Sequence, residues 1–291
     1  MKPTSIIFLV MAVILFVGGY AMCRFASARA ERDGVEIYSQ RADSEGNQVY
    51  SYTVDDNSIS SLKLVFSGVN VTVEPTEGES RVVLTNFPVS SYAVTMSGST
   101  VTIDGTVGKI MSLIDRSSGG LQFRGIRYFL MKNPPDDAEK SVRVYINRYS
   151  KLNSLVITDS GGDISLSRLD NPLDYTIISS GASVSLSEVS TVSVMKIDLT
   201  SGVLNCDGCE IFTIRASISD GSARINTAGK YDASTIAYNL SAENGSIIYN
   251  GAILEEQIYK ISPANTYARM EISVKNGSIT LTDSVDNQVA Q

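Results

Sequence analysis

The sequence contains no histidine and no tryptophan, and only three cysteines among 291 residues. The lack of His removes the commonest metal ligand and the side chain best suited to acid–base work near neutral pH. Three cysteines cannot staple a small secreted scaffold. Charge is also scarce: Asp, Glu, Lys and Arg make up 19% of the chain, and the net charge is −7. Sequence-independent nucleic-acid binding needs clustered Lys and Arg to release counterions, so this balance argues against a nucleic-acid partner. Ser, Thr, Asn and Gly fill the gap beside 43% hydrophobic residues. That composition suits a half-buried, hydroxyl-decorated β surface better than a charged helical one.

The chain has one long apolar run, from Ile6 to Tyr20, interrupted only by Gly18 and Gly19 and extendable to Cys23. About 20 apolar residues cross a bilayer as a helix, so a single transmembrane helix within residues 1–28 is expected. The competing reading is a signal peptide cut after Ala26-Ser27-Ala28. Flanking charge is in conflict. Arg24, Arg29 and Arg32 make the C-terminal side the more basic, which would hold the downstream chain in the cytoplasm. Long domains translocate largely regardless of such charge, and the expected location is extracytoplasmic. Residues 29–57 read as a polar stalk or a loosely paired segment, with turn formers at Gly34, Gly46 and Asn47.

Beyond the stalk one phrase recurs: a small polar residue, then Gly, then an alternating apolar/polar strand. It occurs at Ser67-Gly68, Ser97-Gly98, Ser160-Gly161 and Ser180-Gly181. It occurs again at Ser201-Gly202, Asp220-Gly221, Asn244-Gly245 and Asn276-Gly277. From Gly161 to Gly221 the spacing is about 20 residues, a period typical of stacked repeats. Two inward apolar positions follow each Gly, as in Ile164/Leu166, Val184/Leu186, Leu204/Cys206 and Ile279/Leu281. Val71/Val73, Val101/Ile103, Ala223/Ile225 and Ile247/Tyr249 complete the set. The residue between each pair faces outward. The distance from Gly to the first inward residue shortens by one after Gly181, as a turn variant or a bulge would make it. One unit cannot bury its own apolar row, whereas stacked neighbours bury a continuous one. The expected fold is all-β: a β-solenoid over residues 58–283 with an insertion at about 105–140, and a polar tail at 284–291. An antiparallel sandwich with hairpins at the Asn-Gly pairs is the alternative.

Residues Leu152 to Leu166 (LNSLVITDSGGDISL) and Tyr175 to Leu186 (YTIISSGASVSL) carry a resemblance. From about Ser58 to Leu281 the pattern resembles the bacterial putative-adhesin family of unknown function, whose members set such repeats behind an N-terminal membrane segment. The resemblance implies a β-solenoid on the cell envelope and transfers no catalytic residue. The segment from Gly105 to Lys140 departs from the family's plain repeats.

Three constellations bear on chemistry. Cys206-Asp-Gly-Cys209 has the spacing of a redox or zinc half-site, but no second ligand pair exists. Cys206 falls on an inward position, so a core residue beside a turn cysteine is the plain reading and a local disulfide the alternative. Acids at matching repeat positions (Asp159, Asp163, Asp198) have no acidic partner on a neighbouring repeat, so the carboxylate pair of a glycosidase is not visible. The segment Lys109 to Lys132 reverses the sign of the chain. Lys109, Arg116, Arg124, Arg127 and Lys132 stand against one acid, Asp115, with Phe123, Tyr128 and Phe129 interleaved. It reads as a docking protrusion for anionic lipid or acidic wall polymer, or as a cover for the end of the repeats.

The expectation is a non-enzymatic, membrane-anchored interaction or scaffold protein without cofactors. Its candidate partners are the membrane, an envelope protein, a wall polymer, an anionic lipid, or further copies of itself. The competing functions are a polysaccharide-acting parallel β-helix enzyme and a self-assembling scaffold.

Overall fold

The computed structural model describes residues 17–19, 40–42, 47–55, 57–88, 91–106, 114–115, 122–123, 138–171, 173–227, 230 and 233–283. Among these residues no helix is long and apolar enough to cross a membrane. The expected membrane helix lies outside them except for residues 17–19, and so does the polar tail.

The protein is all-β, as the period-2 alternation predicts, and nineteen strands form one curled open sheet. Strands come as pairs around a glycine corner: β3 (Ser61–Phe66) with β4 (Asn70–Thr76), and β11 (Ser154–Asp159) with β12 (Ile164–Ser167). β13 (Asp174–Ser179) and β14 (Ala182–Ser187) form the next pair, and β17 (Ile236–Ala242) and β18 (Ser246–Tyr249) another. In β15 (Ser190–Asp207), β16 (Glu210–Asn226) and β21 (Ala268–Thr282) the two halves are one continuous strand. Each such unit is one rung of the stack.

First halves stack on first halves, parallel and in register, in the order β7 (Thr100–Asp104), β3, β11, β13, β15, β16, β21, β17. Second halves stack likewise, in the order β10 (Ser141–Asn147), β4, β12, β14, β15, β16, β21, β18. Fifteen of the sixteen expected inward residues are buried, and Tyr249 is half-buried.

Three expectations need correction. Rungs do not stack in chain order at the ends. The last strand, β21, sits between β16 and β17/β18, and β3/β4 sits inside β7 and β10. Ser97-Gly98 is not a corner. It opens the two-residue turn of an antiparallel hairpin between β6 (Ala93–Ser97) and β7, with Gly98 at φ 59°. The segment before residue 58 is not all stalk. β2 (Gln48–Thr53) pairs antiparallel with β5 (Arg81–Thr85), and β1 (Gln40–Ala42) pairs with β2. The first part of the expected stalk, residues 29–39, lies outside the described residues.

The spacing change after Gly181 has a simple cause. Register aligns Ala182, not Gly181, with Gly202, and Gly202 with Gly221 and then Gly277. At this corner column the chains nearly touch. A Cβ on Gly202, Gly221 or Gly277 would lie 1.9, 1.8 or 1.6 Å from the carbonyl oxygen of the preceding rung. With φ at 132°, 153° and 153° the backbone itself favours Gly, and this close approach admits nothing else. The polar residue before Gly also has a partner: Asn276 Nδ2 donates to Asp220 Oδ1, and Asn244 Nδ2 to Asn276 Oδ1.

Both ends of the apolar interior are closed by rings. At one end Tyr50 and Tyr92 lie 5.0 Å apart, Phe66 and Phe87 5.6 Å, and Phe87 and Tyr92 6.4 Å. Beyond β18, antiparallel β19 (Ala252–Leu254) and β20 (Ile258–Ile261) cover the other end. There Tyr238, Tyr249 and Tyr259 meet, the last two at 5.1 Å.

Candidate functional site

In-register stacking turns each outward position into a row across the sheet. On the second-half face the row runs Thr72, Ser165, Ser185, Asn205, Arg224, Thr280. On the first-half face it runs Thr176, Lys196, Arg215, Glu271, Asn239. The next outward row there is Ile178, Asp198, Ser217, Ser273, Ser241. Charge is therefore concentrated on three adjacent strands of one face, β15, β16 and β21, with the polar, uncharged β17 beside them.

These two rows floor and flank a shallow groove of about 250 Å³. Lys196 Nζ lies 2.9 Å from Asp198 Oδ2, and Arg215 Nε donates to Glu271 Oε2 at 2.9 Å. Arg269 Nη1 approaches Glu271 Oε1 at 3.9 Å. All five side chains keep a third or more of their surface exposed, so each pair contributes about 0–1 kcal/mol to stability. Their main effect is to hold the side chains in a fixed array. Further along β16, and just before β21, Phe212 and Tyr267 stand out from the same end of the rungs. They are 47% and 51% exposed, edge to face, with ring centroids 6.3 Å apart.

The sequence-derived candidates fall elsewhere. Cys206 and Cys209 are both buried free thiols, so the candidate disulfide is not formed in this structure. Cys206 sits in the core between Leu186 and Ile225. Its hydrogen bond with Cys209 and its burial push its thiol well above the ordinary value. Of the docking candidates, Lys109, Arg116, Arg124, Arg127, Tyr128, Phe129 and Lys132 lie outside the described residues. Phe123 is described only as part of β9 (Gln122–Phe123), paired with β8 (Ile114–Asp115).

Asp159 is buried beside Phe66 and Ser179 on the flanking strands. Its Oδ2 accepts the Gly162 N–H, while its Oδ1 and the Ser179 hydroxyl have no partner. Burial pushes its carboxyl above the ordinary carboxylate range. The residues paired with it on the neighbouring strands, Phe66 and Ser179, supply no second acid. Among the described residues no cluster of His, Cys, Asp or Glu could hold a metal ion.

Sequence reasoning missed Lys196, Arg215, Glu271 and Asn239 as a group. Arg215 and Glu271 are 56 positions apart, and they meet because β21 inserts beside β16. Aligning the first halves of the rungs, rather than the strands after Gly, would have put all four residues in one column.

The molecule is thus an all-β protein of parallel, in-register rungs carrying a polar outer groove. No family model and no curated protein matches it. Among solved structures it is similar to a putative cell adhesion protein from Clostridium sporogenes, with a TM-score of 0.41 at 12% identity over 81% of this chain and 99% of that one. It is also similar to a putative adhesin from Bacteroides fragilis, with a TM-score of 0.39 at 15% identity over 82% and 98%. A third is a putative lipid binding protein from Parabacteroides distasonis, with a TM-score of 0.30 at 12% identity over 81% and 96%. The adhesin names among these neighbours are those of the family that the Ser-Gly repeats resemble.

Proposed function

We propose that this protein is a non-enzymatic β-solenoid, anchored in the cell membrane by its N-terminal apolar run, that works outside the cytoplasm by adhesin-like interaction. The groove across β15, β16, β21 and β17 carries the reading. Outward charge gathers there in pairs, whereas on β3, β11 and β13 the same two rows present Lys63, Val156, Thr176 and Val65, Thr158, Ile178. Its carboxylates are engaged by cations: Asp198 by Lys196, Glu271 by Arg215. A carboxylate held this way accepts hydrogen bonds; it is not one of two acids poised across a scissile bond. The basic, aromatic segment from Lys109 to Lys132 adds a second contact, with anionic lipid or wall polymer.

The test is fractionation of cells expressing the full chain, followed by binding of purified full chain to isolated envelopes. The protein should sediment with membranes, be cut by protease added to intact spheroplasts, and bind envelopes less well when Arg215 and Asn239 are both replaced by Ala. A chain that stays soluble, or is shielded from external protease, removes the anchored extracytoplasmic reading.

A further inference from the structure

We infer that the groove binds a neutral, hydroxyl-rich saccharide chain that runs along β16 and β21, between β15 and β17, with a sugar ring packed on Phe212 and Tyr267. This rests on the interaction reading and names its ligand.

Charge comes first. The charged residues lining the groove are Lys196, Arg215, Asp198 and Glu271, two of each sign. Each cation already touches a carboxylate at 2.9 Å. An anionic ligand would have to displace one of those carboxylates and leave it facing the ligand. A neutral ligand meets no such conflict.

Hydrogen-bonding capacity comes second. A sugar hydroxyl both donates and accepts, so it is matched by a surface that interleaves the two roles. Asp198 and Glu271 accept, Lys196 and Arg215 donate, and Asn239 and the hydroxyls of Ser217, Ser241 and Ser273 do both. The arginine, amide and carboxylate groups are planar, and ion pairing fixes the charged ones in advance. That lowers the ordering cost of binding.

Shape comes third. Four strands about 4.8 Å apart give a floor about 14 Å wide, and the run from Phe212 to Ser217 along β16 is about 17 Å long, which suits a chain of several rings rather than one. Phe212 and Tyr267 supply flat apolar surface at one end of that run, about three residues or 10 Å along the strands from Arg215. The C–H face of a sugar packs against such rings, because a ring face carries negative quadrupole density.

Other occupants fit less well. A peptide that extends a sheet needs a free strand edge. Here β15, β16 and β21 have parallel neighbours on both sides. An anionic membrane surface is held by excess Lys and Arg, which the groove lacks.

The probes are cellotetraose, chitotetraose and maltotetraose, titrated calorimetrically into full-length protein in detergent, with polygalacturonate as the anionic comparison. At least one neutral tetrasaccharide should bind with Kd of about 1 mM or tighter. Affinity should change little with added salt. Arg215→Ala and Asn239→Ala should each weaken binding about tenfold, and Phe212→Ala a few-fold, with thermal unfolding unchanged. No binding of any neutral tetrasaccharide overturns the proposal, as does wild-type affinity in both the Arg215→Ala and Asn239→Ala proteins. Preference for polygalacturonate with a steep salt dependence also overturns it. If the sugars fail while the protein still binds envelopes, the ligand class is wrong and the interaction reading stands. If both fail, both fall.

Discussion

The two ends of the rung stack solve one problem with different chemistry. A stack of parallel rungs exposes an apolar interior and unpaired strand edges at each end, and both must be covered. Near β3 the cover is a ring cluster, with Phe66, Phe87 and Tyr92 buried under antiparallel β2, β5 and β6. Near β17 the cover is rings tied to a carboxylate. Asp283 is 4% exposed, and its Oδ2 accepts hydrogen bonds from Tyr238 and Tyr249 at 2.8 and 2.9 Å. Its Oδ1 accepts from Asn250, whose own oxygen takes the Asp283 N–H. At the first end a buried polar side chain, Asn86, ties Gln48, Asn47 and Glu139 together beside the rings; at the other, the ring hydroxyls themselves are held by a polar lock made by the residue just after the last strand. The difference makes the second end more dependent on the C-terminal segment.

The largest effect should come from removing that segment. A chain ending at Tyr267 loses β21, the parallel partner of β16 on one side and of both β17 and β18 on the other. It also loses Asp283. The edge of β16 opens, and exposed strand edges recruit other chains. We expect a lower unfolding midpoint and concentration-dependent association by sedimentation. A truncated protein that is monomeric and melts like the full chain would show that the end rung docks without β21.

Next comes a matched pair of single changes. Phe87→Ala removes a buried ring and should cost about 3–5 kcal/mol. Asp283→Ala leaves the Tyr238 hydroxyl, at 2% exposure, without its acceptor, and should cost about 2–3 kcal/mol. Denaturant titration of both proteins checks the order. If Asp283→Ala costs nothing, the lock is decoration on an end that is closed by its rings alone.

This contrast also marks what could be read from the sequence. Inward residues such as Ile164, Val184 and Leu204 are legible because a strand face repeats every two residues. The corner glycines are legible as corners, although Gly98 uses the same phrase for a hairpin. Rung order at the ends is not legible. Parallel rungs with equal apolar rows are nearly interchangeable as neighbours, so nothing local tells β16 to pair with β21 rather than with the next strand in the chain. The groove inherits that difficulty: Arg215 and Glu271 become neighbours only through the late insertion of β21. Asp283 stayed hidden for a related reason, since its tyrosine partners lie 45 and 34 positions away.

The smallest expected effect is a titration that separates the polar lock from simple ring packing. Burial, with Asp283 adding to it, pushes the hydroxyls of Tyr238 and Tyr249 above their ordinary value of 10.0. Burial raises Tyr259 as well. The folded protein therefore keeps protons that the unfolded chain gives up once pH passes 10. The stability tied to these groups is complete below pH 10 and falls as pH rises above it, most steeply for the buried Tyr238 and less for Tyr249 and Tyr259, which solvent reaches and screens. Tyr175, buried in the middle of the stack and also raised, contributes a background slope. Replacing Tyr238 and Tyr249 by Phe should flatten the fall between about pH 10 and 11.5 without abolishing it, at the cost of two hydrogen bonds at neutral pH. Unfolding free energies of the two proteins over that range make the comparison. Equal slopes would mean that the lock opens before the tyrosines ionise, and that the end near β17 is held by ring packing in the same way as the end near β3.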